Sequence, residues 1–117
     1  MSRHTGAQVG ALGAVLCLLL SGGAQAQDAG KGKMIYTGRC AFCHGATGKG
    51  DGPAGAALKP PDTNFARADF WKNTKPEAIK EAIEHGKPST AMVAFQASLT
   101  AQQIADVIAY LKTFQPQ

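Results

Sequence analysis

Cys40-Ala41-Phe42-Cys43-His44 decides how the rest of this sequence is read. The cysteines stand three apart and the histidine four after the first, so on one helical turn all three side chains share a face. C-x-x-C-H is the pattern of covalent haem attachment. In that chemistry Cys40 and Cys43 reach two vinyl groups on one edge of the porphyrin as thioethers, and His44 comes up beneath the iron as its proximal ligand. Three rival chemistries use the same residue types. A structural disulfide between Cys40 and Cys43 would close a very small loop and leave His44 without a role. Zinc wants four ligands, and the chain after residue 26 adds only the distant His85 to these three. A thioredoxin-like redox pair belongs in a βαβ setting, and we find no convincing strand pattern.

Upstream of the motif, Arg3 and His4 are followed by an apolar run over residues 9–20 and then by small and polar residues ending in Ala24-Gln25-Ala26. A basic start, a short apolar middle and small residues for the peptidase make up a secretory signal peptide. We expect cleavage after Ala26, so that residues 1–26 are a removed leader and residues 27–117 form one periplasmic haem domain. An uncleaved anchor needs roughly 20 apolar residues, and this run is shorter and contains Gly10 and Gly13. Stable membrane insertion after cleavage is not expected. Cys17 lies inside the run behind Leu16, where lipid attachment would want a small residue, and it leaves with the leader.

Of the twelve basic residues only Arg3 precedes Gln27, and none of the eight acidic ones does, so the remainder keeps a mild positive excess. Its basic residues are mostly scattered lysines, without the arginine clusters and interleaved aromatics of a nucleic-acid surface. Nucleic acid is excluded as a partner on this reading. A weak steering field toward an acidic protein partner is the most such a charge supplies. A domain of this size is marginal without a cofactor or staple.

Three main helices can be read. The first starts near Asp28, an N-cap residue, carries Gly32, Ile35, Tyr36 and Arg39 at helical spacing, and runs into Cys40. Residues 45–61 are rich in Gly, Ala, Pro and Lys and read as a long loop. A short aromatic piece spans residues 65–71. Thr74-Lys75-Pro76-Glu77 has the form of a capping box and opens a second helix with Ile79, Ala82 and Ile83 inward, stopped by Gly86. Thr100 and Gln103 form another capping box, with Leu99 and Ile104 as its hydrophobic staple. Ile104, Val107, Ile108 and Leu111 then make one apolar stripe on the last helix.

A six-coordinate iron needs a second ligand on the opposite face. Met34 is tethered close to the attachment edge on the first helix and reads as core. His85 sits at a helix C-terminus, where the dipole favours a histidine without any metal. Met92 lies in a loop between two helices, with enough chain after His44 to wrap over the far face, and is the expected distal ligand.

From Gly32 to Phe114 the sequence resembles the class I c-type cytochromes. Gly32-x-x-x-Tyr36-x-x-x-Cys40 is similar to that family's first helix and Val107-Ile108-Ala109-Tyr110-Leu111 to its last. The resemblance implies an all-α, cytochrome c-like bundle of three main helices, with long loops wrapped around one covalently bound haem c per chain. It also implies that the two terminal helices cross at Gly32, with Tyr36 against Val107 and Tyr110. Gly86-Lys87 and Met92-x-x-Phe95 are similar to the family's distal-ligand loop, although Val93 stands where many relatives carry proline. In the family a proline carbonyl accepts a hydrogen bond from the histidine ring, and the resemblance implies Pro60 or Pro61 for that place in this sequence. Trp71 is either near a haem propionate or core.

The expected function is one-electron transfer between periplasmic or membrane redox proteins, with no catalysis. The alternatives are a haem c subunit of a periplasmic dehydrogenase complex, and a haem enzyme or gas sensor with an open iron position. Near Met92 the sequence offers Ser89, Thr90, Val93, Ala94 and Phe95, with no obvious acid or base.

Overall fold

The computed structural model describes residues 1–2, 6, 10, 26–58 and 64–117. Nearly all of the expected leader, and both Pro60 and Pro61, lie outside the described residues. Among the described residues, the regular structure is helical throughout. Helix α1 (Ala29–Arg39) starts where the Asp28 carboxylate accepts from the Lys31 N–H, as an N-cap should. The single turn α2 (Ala41–His44) follows, with Cys40 as the joint. The segment read as a loop contains another turn of helix, α3 (Gly55–Leu58). The aromatic piece becomes α4 (Ala68–Asn73). Helices α5 (Pro76–His85) and α6 (Ala101–Leu111) come next, and a 3₁₀ turn, Lys112–Phe114, extends α6.

The two capping boxes have different fates. At α6 both halves are present, Thr100 accepting from the Gln103 N–H and Gln103 from the Thr100 N–H. At α5 the cap is Lys75, in extended conformation and without a side-chain bond, and Pro76 takes the first helical position. The reason is local. A residue before proline is disfavoured in the helical region, so Lys75 cannot serve as the first helical residue after a Thr74 cap.

The core joins α1, α5 and α6 through Tyr36, Ile79, Ile83, Leu99, Ile104, Val107, Ile108 and Leu111, with Phe65 reaching in from the segment before α4. Helices α1 and α6 touch backbone to backbone at Gly32, where a Cβ would run into the carbonyl of Asp106 and lie 2.9 Å from the Val107 nitrogen. The expected crossing is therefore observed. Asp106, only 2% exposed, clamps it: its Oδ1 accepts from the Asp28 N–H at 2.8 Å and from the Gln102 side-chain amide at 2.9 Å. Tyr36, Tyr110 and Phe114 close the other end as three mutually tilted rings with centroids 5.0–5.4 Å apart. Met34, read as core, is 75% exposed. It stands two residues from both Gly32 and Tyr36, which puts it about 200° around the helix from the α6 contact.

Candidate haem site

The C-x-x-C-H turn is built before any side chain is considered. Cys43 and His44 donate their backbone N–H groups to the Cys40 carbonyl at 3.2 and 2.9 Å, which winds the three residues onto one helical face. The loop behind then folds back on the turn. Gly50 donates to the His44 carbonyl at 2.9 Å and Ala54 to the Phe42 carbonyl at 3.0 Å. This return is close enough that a Cβ at Gly52 would strike the carbonyls of Ala41 and Phe42, and one at Gly55 that of Cys43. The glycines of this loop therefore mark a clasp around the motif.

Both thiols are free and half-buried. Burial pushes the Cys40 thiol up to about 11; the nearby Arg39 guanidinium opposes the rise and Cys43 adds to it. The His44 ring, also half-buried, stacks on Phe65 with centroids 5.1 Å apart and planes 27° from parallel. Phe65 is in turn fixed, its N–H donating to Gly48 at 2.7 Å and its carbonyl accepting from the Trp71 indole N–H at 2.7 Å. The indole donor is thus committed to backbone, and Trp71 packs against the core.

On the chain beyond α5, Gly86 (φ 72°) turns the backbone into a strap. Lys87 donates to the Met92 carbonyl at 3.1 Å, and Phe95 and Gln96 donate back to Ile83 and Glu84. Met92 and Phe95 are half-buried against the core, whereas the neighbouring Val93 is 63% exposed. The Thr90 hydroxyl is bound within the strap, donating to Lys87 at 2.8 Å and accepting from the Met92 N–H at 3.2 Å. His85 ends α5 with its ring 3.8 Å from Glu84 and more than half exposed. The residues present fit a haem: two free thiols and an imidazole on one turn, and apolar Phe42, Leu58 and Val93 exposed on α2, α3 and the strap, the kind of surface a large apolar group covers.

Sequence reasoning missed Tyr36 as a hydrogen-bond donor to the site. Its hydroxyl donates to the Gly45 carbonyl at 2.6 Å, directly behind His44. Burial, and then Cys40, Tyr110 and Asp51, raise that hydroxyl's pKa well above the tyrosine range, so it remains a donor. The Phe65–His44 stack was equally invisible, since nothing in the spacing of residues 44 and 65 announces it.

A helical bundle with a clasped C-x-x-C-H turn defines the class of c-type haem proteins, and the comparisons agree. The cytochrome c family model matches residues 29–115. A cytochrome c6 of Rippkaea orientalis is 34% identical over 96 residues, covering 80% of this chain and 78% of that protein. The dihydro-heme d1 dehydrogenase of Pseudomonas aeruginosa is 33% identical over 91% of this chain, which spans only 19% of that longer protein. Among solved structures, the KustC0563 c-type cytochrome superposes with a TM-score of 0.64 at 27% identity, covering 73% of this chain and 98% of that one. This chain belongs to the cytochrome c family. Its cofactor is covalently bound haem c, with Cys40 and Cys43 standing at the cysteine positions of the motif.

Proposed function

We propose that the protein is a one-electron carrier of the periplasm, released from its leader after Ala26, with His44 and Met92 as the axial ligands of the haem iron. The haem supplies a one-electron iron couple, and thioether ligation favours its reduced state. The observation that carries the reading is the contrast between the two methionines beyond the leader. Met92 is held half-buried against the core on a hydrogen-bonded strap, while Met34 faces away from α6. With imidazole and thioether both committed, the iron is closed to substrate. The strap supports a carrier over an enzyme, because the Thr90 hydroxyl is tied to backbone at both its donor and acceptor sides.

The test is Met92→Ala in the ferric protein. A bound thioether gives a weak charge-transfer band in the far red. Met92→Ala is expected to lose it, lower the reduction potential and admit imidazole, with the thioether bonds to Cys40 and Cys43 intact. Met34→Leu should change none of these. A band that survives Met92→Ala and disappears in Met34→Leu would reverse the assignment.

A second reading, a haem c subunit or domain of a dehydrogenase, is favoured by the match to one part of the longer Pseudomonas aeruginosa protein. Redox proteins are the partners in either case. Size-exclusion of the native haem protein from source extract separates them: a carrier elutes alone, a subunit with a larger flavour of complex whose partner can be identified.

A further inference from the structure

The geometry points to Tyr36 as a positioning residue for His44, acting through the carbonyl of Gly45. This rests on reading His44 as the proximal ligand. Gly45 is the residue by which the chain leaves His44, and it does so at φ 81°. Its N–H is spent on Ala41 at 2.8 Å, and its carbonyl accepts two bonds, a long one from the Gly48 N–H at 3.2 Å and a short one from the Tyr36 hydroxyl at 2.6 Å. A Cβ at Gly45 would lie against the Asp51 carboxylate, so the residue is bounded on that side as well.

The donor is as fixed as the acceptor. Tyr36 is 1% exposed, and its ring is wedged against Tyr110 and Phe114 where α1 meets α6. The bond is therefore a strut from the main helix crossing to the backbone directly behind the candidate ligand. Phe65 in turn limits the ring of His44 by stacking. Contacts one step removed from a metal ligand set the ligand's orientation. Loss of the hydroxyl leaves the Gly45 carbonyl with the longer bond alone, and the chain leaving His44 gains freedom while the core keeps its ring.

The experiment is the paramagnetic proton spectrum of ferric holoprotein, in which the spread of the haem methyl resonances reports the orientations of the axial ligands, the imidazole plane among them. Tyr36→Phe is expected to shift at least one methyl beyond the spread between wild type and Tyr110→Phe. The latter removes a hydroxyl from the same aromatic cluster and leaves the Gly45 bond in place. An unchanged pattern in Tyr36→Phe overturns the proposal, and so do equal changes in both variants, which would assign the effect to packing. If Tyr36→Phe does not mature, Tyr110→Phe protein grown with fluorinated tyrosine alters the donor strength of Tyr36 alone, since the chain has two tyrosines; its methyl pattern must then move. Selective histidine labelling separates the two readings. Axial imidazole signals that do not belong to His44 would fail the ligation reading, whatever the Tyr36 variant does.

Discussion

Replacing Cys40 or Cys43 by alanine removes a sulfur from a turn whose backbone needs neither side chain. The bonds that wind it run from the N–H groups of Cys43 and His44 to the Cys40 carbonyl, and alanine keeps all of them. Each single variant is therefore expected to retain the turn and hold haem by one thioether. The double variant should release all its haem into acidified organic solvent. Intact mass before and after extraction checks this, and covalent haem persisting in the double variant would show that other atoms make the attachment. The same scale explains Trp71 and Met34. An indole N–H with a carbonyl 2.7 Å away has no donor left for a propionate, and a methionine two residues from the contact line of a helix points elsewhere.

At the scale of the element, two of the three glycines of α1 have opposite predicted behaviour. Gly32→Ala gains roughly 1 kcal/mol of helix propensity, but its methyl meets the α6 backbone, which cannot rotate away as a side chain would. Overpacking costs about 1–3 kcal/mol, occasionally more, and a methyl this close to fixed backbone takes the upper end, so a net loss of about 2 kcal/mol is expected from denaturant unfolding. Gly38→Ala, with nothing within 4 Å of its methyl, should keep the propensity gain and stabilise by roughly 0.5–1 kcal/mol. Equal effects at the two sites would contradict the observed crossing. Helix α5 adds a different lesson, since Pro76 both starts the helix and dictates which residue caps it.

For the whole molecule, the described apolar core is nine buried side chains drawn mainly from three helices. A domain of about 90 residues is marginal on such a core. Chain produced without haem attachment is accordingly expected to lose its cooperative thermal transition and to bind hydrophobic dyes, while the holoprotein melts cooperatively; calorimetry and dye fluorescence compare them. The export reading belongs to this scale as well. Mass spectrometry of the protein recovered from the periplasm should find Gln27 at its N-terminus with one haem added, and an active form retaining Met1 would remove that reading. Among the described residues no helix is long and apolar enough to cross a membrane.

Much of what is decided over short distances along the chain could be read from the sequence: the haem motif, the Asp28 and Thr100 caps, and the stripe from Ile104 to Leu111, though not the Lys75 cap of α5 or the α3 turn. Helical periodicity and capping chemistry act within about two turns, so residue spacing records them directly. The family resemblance carried this further, to the crossing at Gly32 that the structure then bears out. What the tertiary structure alone decided is which distant groups complete one another. Asp28 and Asp106 are 78 positions apart, and their bond exists because two helices cross there. The Phe65 stack on His44 and the Tyr36 strut to Gly45 likewise depend on how loops and helices fold over the motif. Such pairings leave no periodic trace, because burial and direction at each partner are set by the packing of other elements.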